Sequence, residues 1–307
     1  MKGIMPSLWL FWKRRKEMAA EDRELKITFL SKKEYTCPLC ETVFRKEELL
    51  SGGGRLIAGS LTNELHRLYE PSVKYGEIFP LVYQAIVCPE CLFASMEADF
   101  PQIPANNKNK ARKDCGDRVK DAKLVFPNIN FRENRSLMEG AASQYLALRC
   151  YDYYNKDFSP TIKQGLSAVR CAWLLDELHK KFPEQHYDWL ATLFRKKAQY
   201  LYNEALAREQ SGAETLSGMK SFGPDTDKNY SYEGMLYLCA YLRYMYGPSH
   251  NPAERKASLE DARRTIAKLF GMGKSSKDRP GAFLELARKL YDTLNKELTE
   301  NFAETET

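Results

Sequence analysis

No stretch of the 307-residue chain approaches the 18 or more uninterrupted apolar residues that a membrane-spanning helix needs. Glycine (17) and proline (14) are too few for a collagen-like or proline-rich chain. Charge of one sign is also scarce. The 47 Lys and Arg against 41 Asp and Glu leave +6, most of it in Lys13-Arg14-Arg15-Lys16 and residues 108–123. Phosphate-neutralising proteins carry a stronger, more clustered footprint, so this balance permits nucleic acid without asking for it. Only four histidines are present, and no Ser/His/Asp or paired-carboxylate constellation stands out, so no catalytic residue is named. Eight cysteines without an export signal do not make a secreted disulfide framework, and the expected compartment is a reducing cytoplasm. Aromatic side chains are plentiful at 12%, which marks a chain that folds.

Composition divides the chain into five parts. Residues 1–25 form a tail whose apolar run (Ile4, Met5, Leu8, Trp9, Leu10, Phe11, Trp12) precedes its basic run, the reverse of a secretory signal. The tail reads as frayed chain or as residues ahead of a start at Met18. A docked helix and an interfacial membrane contact built from Trp and basic residues are the readings ranked behind it. Residues 26–100 are strand-and-turn material, 101–136 a basic linker with one helix near 107–123, 137–300 helical, and 301–307 a C-terminal tail.

The strongest chemical signal is a matched pair of knuckles, Cys37-Pro38-Leu39-Cys40 and Cys88-Pro89-Glu90-Cys91. Cys-x-x-Cys lets two thiolates converge within one tight turn, and two such turns supply a closed tetrahedral shell for Zn2+. Strands over Lys26-Ile27-Thr28-Phe29-Leu30 and residues 81–87 are expected to deliver the knuckles, with a folded insertion between them. A glutaredoxin-like thiol oxidoreductase is a further reading, if residues 41–50 are helical and place a cysteine at a helix N-terminus. A closed four-thiolate shell leaves no position for an activated water.

Apolar residues stepping by three and four predict six helices, at about 137–157, 161–182, 185–210, 231–246, 253–270 and 280–299. Ser159-Pro160 and Asn251-Pro252 place a capping side chain before a proline at the first helical position. Short links imply antiparallel hairpins, and three stacked hairpins make a solenoid of the tetratricopeptide kind, with a plain helical bundle as the alternative. The fold class is therefore α with a small β zinc ribbon: a four-Cys ribbon followed by a tetratricopeptide-like solenoid.

Thr36-Cys37-Pro38-Leu39-Cys40, Tyr69-Glu70-Pro71, the run from Pro80 to Cys91 and the Ala-aromatic helices after 137 resemble the bacterial uncharacterised family catalogued as domain of unknown function 2225. The resemblance covers roughly residues 26–296. It implies a zinc-ribbon-like N-terminal part, a tetratricopeptide-like C-terminal part and no established activity, and it carries over only the four cysteines. A Gly-aromatic-Ala is expected after the second knuckle, where this chain has Leu92-Phe93-Ala94.

Weaker signals read as structure: Gly271-Met272-Gly273-Lys274-Ser275 as a helix stop, Gly52-Gly53-Gly54 as a loop, and His66 as packing or surface rather than metal ligand. Tyr237, Tyr241 and Tyr244 share one helix face, a residue type enriched at binding hot spots, and are the candidate partner-facing residues; packing between helical layers is the competing reading. The expected function is a non-enzymatic zinc-containing scaffold that holds a protein partner through its helical repeats. The alternative is a nucleic-acid-binding ribbon using residues 108–123 with Arg45, Lys46 and Arg55.

Overall fold

A computed structural model describes residues 26–217, 219, 221–271 and 281–302. The tail over 1–25, most of the segment from Gly271 to Ser275 and residues 303–307 lie outside the described residues.

The N-terminal region is built from three antiparallel hairpins: β1 (Thr28–Thr36) with β2 (Val43–Leu49), β3 (Ile57–Leu61) with β4 (Arg67–Glu70), and β5 (Ala85–Val87) with β6 (Ala94–Met96). The turns of the first and third hairpins are the two knuckles, and the second hairpin is the insertion between them. Residues 41–50 are thus a turn end and a strand, not a helix. Of the strand expected over 81–87, only the last part is extended, because Pro80 opens a 3-10 turn, Pro80–Tyr83, whose side chains are all buried. The linker carries two helices rather than one, α1 (Ala105–Lys113) and α2 (Cys115–Val125), separated at Asp114.

Six longer helices follow: α3 (Leu137–Cys150), α4 (Pro160–Lys181), α5 (Tyr187–Gln210), α6 (Ser231–Tyr246), α7 (Pro252–Gly271) and α8 (Gly281–Phe302). Each packs against its sequence neighbour, and α6 also meets α8. The predicted stripes are buried, Leu259, Ala262, Ile266 and Leu269 on α7 and Phe283, Ala287, Leu290, Leu294 and Leu298 on α8. Asn251 caps α7, its Oδ1 accepting from the Ala253 amide at 2.9 Å.

Two helix ends differ from expectation. The first helix stops at Cys150, not 157, because tertiary hydrogen bonds draw the next residues into 3-10 turns. Tyr151 Oη donates to Asp99 Oδ2 at 2.8 Å, Tyr154 Oη to the Asp99 carbonyl at 3.0 Å, and Tyr153 Oη to Asp114 at 2.9 Å. Ser159 does not cap α4: it is left-handed (φ 51°) and donates to the Thr215 carbonyl, while Glu214 accepts from the Thr161 amide at 2.9 Å.

The buried side chains of strands and helices form one cluster running from Tyr35 to Leu298. The third hairpin lies on α3, where the Ala94 amide points to Cys150 Sγ (3.4 Å) and the Met96 amide donates to Tyr151 Oη (3.1 Å). Among the described residues, no helix is long and apolar enough to cross a membrane.

Candidate metal centre

The two knuckles are copies of one backbone design. In the first, the Cys37 amide donates to the Thr42 carbonyl (2.9 Å) and the Glu41 amide to the Cys37 carbonyl (3.0 Å). In the second, Cys88 and Phe93, then Leu92 and Cys88, repeat those bonds at 2.9 and 3.0 Å. Each turn closes through a left-handed residue directly after its second cysteine, Glu41 at φ 64° and Leu92 at φ 52°. Glycine takes that conformation without cost, so a glycine is what the family resemblance leads one to expect at 92. Leu92 adopts it at a cost on the order of 1 kcal/mol, offset by burial of its side chain.

The turns bring four sulfurs together. Cys37 Sγ lies 3.5 Å from Cys91 Sγ, and Cys40 Sγ 3.5 Å from Cys88 Sγ. All four lie within 4.8 Å of one another. Thiolates about 2.3 Å from one tetrahedral ion stand about 3.8 Å apart, so the cluster has the dimensions of a metal site. All four are free thiols; Cys37, Cys88 and Cys91 are buried and Cys40 is exposed. Hydrogen bonds from Cys37 and Cys91 hold Cys88 far below the ordinary thiol range, to about 2. Hydrogen bonds with Cys37 and Cys88, then burial, hold Cys91 far above it. A bound cation is what lets all four ionise together.

The surroundings fit that charge. Arg118 on α2 is only 1% exposed and has no carboxylate partner among the described residues. Its Nε and one terminal nitrogen donate to the Cys91 carbonyl (3.0 and 2.8 Å), and the other to the Ala111 carbonyl (3.0 Å). Burial alone would lower its pKa, but the neighbouring Cys150, Cys91 and Cys115 sulfurs raise it. An unpaired buried guanidinium costs several kcal/mol. Four thiolates around a divalent ion would carry a net −2, which would compensate it. Arg112 on α1 serves the other knuckle, its Nε donating to the Leu39 carbonyl at 2.7 Å. Sequence reasoning missed both arginines, reading them as part of a diffuse basic stretch.

The family described as an uncharacterized protein conserved in bacteria, domain of unknown function 2225, matches residues 30–294. The chain belongs to this family. An uncharacterized protein of Borreliella burgdorferi is 40% identical over 274 residues, covering 89% of this chain and 98% of the relative. No solved structure matches the chain. The family span takes in both knuckles and all but the end of α8.

The tyrosines are placed differently from the cysteines. Tyr237 is 1% exposed, so it is core and not available to a partner. Its ring packs against Tyr241 and Phe283, and its hydroxyl donates to the Asn63 carbonyl at 2.8 Å. Tyr241 and Tyr244 are half-buried along a cleft against Leu286 and Lys289 of α8.

Asn63 belongs to the tip of the second hairpin, which enters the helices. Glu64, buried there, accepts from Trp173 Nε1 (2.5 Å) and from Arg195 Nε (2.8 Å). His66 stacks on Trp173, with ring centroids 4.2 Å apart, and bonds Asp225 through Nδ1. Arg67 Nε pairs with Asp227 at 2.9 Å. Of the basic residues expected to meet nucleic acid, Arg45 pairs with Glu34, Lys46 with Glu97, and Arg55 lies over the Tyr75 ring.

Proposed function

We propose that the chain is a non-enzymatic cytoplasmic scaffold in which Cys37, Cys40, Cys88 and Cys91 hold one structural Zn2+ in a ribbon, and whose stacked helix pairs, of the tetratricopeptide kind, hold a protein partner. The observation that carries the zinc reading is four free sulfurs within 4.8 Å, seated on two matched turns with a buried guanidinium beside them. A closed four-sulfur shell offers no open position for substrate or water, which supports a structural role over a catalytic one. Neither knuckle cysteine lies at a helix N-terminus, which removes the main support for thiol oxidoreductase chemistry. The purified protein is expected to contain one zinc per chain. Cys88→Ser is expected to lose it and to unfold the hairpins more readily; stoichiometric zinc retained by that variant after chelator treatment overturns the assignment.

For the partner surface, Tyr241 and Tyr244 with exposed Met245 offer flat apolar area with polar tips beside α8. A photo-crosslinker at position 244 is expected to give one dominant protein adduct in the native host, against none from the exposed Tyr200 position; equal or no adducts at both reject this surface. One observation favours a nucleic-acid reading instead: α1 carries Lys108, Lys110, Arg112 and Lys113 with no acidic residue, directly beside the first knuckle. Binding of RNA that weakens steeply with salt would select that reading.

A further inference from the structure

A second site lies apart from the cysteines. Between β4, the Pro80–Tyr83 turn and α4 is a cavity of about 170 Å3. Ile78, Phe79, Leu81 and Leu174 make its wall apolar, and His66 stands in that wall beside Trp173. The imidazole is held from two directions. Trp173 stacks on its face at 9° between ring planes, and Asp225 takes its Nδ1. Asp225 also accepts from the Arg67 amide at 2.7 Å and the Thr226 amide at 2.6 Å, so it acts as an ionised acceptor and the imidazole proton sits on Nδ1. In the neutral ring Nε2 is then the lone-pair acceptor, with no protein partner among the described residues, on a ring held by its stacking and by Asp225.

The charges on the rim balance. Lys180 pairs with Glu177 (2.7 Å) on successive turns of α4 at the cavity mouth, Glu77 with Lys181 (3.1 Å) and Arg67 with Asp227 (2.9 Å). A wholly apolar occupant would strand Nε2 without a donor, and an ion of one sign would unbalance the rim. A molecule carrying both signs on a small apolar body meets every requirement, and the volume suits roughly ten heavy atoms.

We propose that this cavity binds a free apolar α-amino acid, its side chain against Ile78, Phe79, Leu81 and Leu174, its ammonium donating to His66 Nε2 and Glu177, and its carboxylate facing Lys180. A peptide end does not satisfy the site, because each end lacks one of the two charges. The site uses none of the four cysteines, and the proposal rests on neither the zinc nor the protein-partner reading.

Calorimetric titration of the full-length protein tests this with L-leucine, 3-methylbutan-1-amine (no carboxylate) and 4-methylpentanoate (no ammonium). Saturable leucine binding is expected, with each analogue at least about tenfold weaker. His66→Asn keeps a side-chain donor for Asp225 but lacks Nε2, so it should weaken leucine by about tenfold or more while leaving the melting temperature nearly unchanged. A purely structural histidine would leave leucine binding unchanged in that variant, which overturns the proposal. So do analogues that bind as well as leucine, or no saturation by leucine, methionine or phenylalanine up to about 10 mM. Should His66→Asn fail to fold, Lys180→Met, at an exposed position, must weaken leucine and 4-methylpentanoate but not 3-methylbutan-1-amine; unchanged leucine affinity there rejects the site.

Discussion

Arg118 contributes chemistry that its residue type does not advertise. A guanidinium removed from water needs negative charge nearby, and the groups that favour its charge most are the Cys150, Cys91 and Cys115 sulfurs, with Tyr153 behind them. Its two hydrogen bonds to the Cys91 carbonyl also fix the second knuckle's turn. Groups of this kind behind a metal ligand typically influence affinity by 10- to 100-fold. Arg118→Met, matched in length, is therefore expected to weaken zinc by about that factor in competition with a chromophoric chelator, and Arg112→Met, at an exposed position, by much less. The four cysteines were legible because thiolate spacing is itself the chemistry. Arg118 was not, because its role depends on α2 lying across a carbonyl 27 residues away in sequence. Leu92 is the converse: the sequence flagged an unusual residue for the turn, and the backbone there is indeed left-handed.

Among the elements, the helices were legible where one face repeats at three and four residues, as on α7 and α8, because burial of that face and helical periodicity point the same way. Legibility failed where a distant group outbid local propensity. Asp99 draws Tyr151 and Tyr154 out of α3, and Glu214 takes the capping role that Ser159 was expected to fill. The two knuckle hairpins are joined by a similar long-range tie. Glu97, just after β6, accepts from Tyr35 Oη on β1 (2.7 Å) and pairs with Lys46 on β2 (2.9 Å). The Tyr35 hydrogen bond, then Lys46 and Lys33, outweigh burial and lower its pKa from 4.5 to about 2. A depressed carboxylate stabilises the fold above its unfolded value and loses that contribution as the pH falls through its folded one. Stability is thus expected to fall between about pH 4.5 and 2. Glu97→Gln should flatten that part of the denaturation profile, and an unchanged slope would mean the tie contributes nothing.

At the scale of the whole molecule, the second hairpin joins regions that the sequence reads as separate. Its tip places Asn63, Glu64 and His66 among α4, α5, α6 and the loop before α6, with contacts spanning 109 to 182 positions of sequence. No local pattern announces such a contact, so the insertion was foreseen as folded but not as inserted. Glu64 is its hub. Glu64→Ala leaves Trp173 Nε1 buried without an acceptor and Arg195 with Asp176 alone, a loss of about 3 kcal/mol. The exposed Arg45–Glu34 pair, deleted as a control, should cost less than about 1 kcal/mol. Urea unfolding distinguishes the two; equal losses would make the tip a passive contact.

That hairpin hangs on a chain whose two ends meet at the sulfurs: the 47 residues between Cys40 and Cys88 become a closed loop once one ion grips all four cysteines. In polymer terms the ion shortens the search. An open tether explores a volume set by its contour length, whereas a clamped one brings its midpoint to the same neighbourhood each time, and each doubling of a free loop adds about 0.6 kcal/mol to its closure. An ion that never touches Trp173 would thereby set how quickly Trp173 finds its partner, and refolding without it should show a lag at that tryptophan rather than a change in its final surroundings.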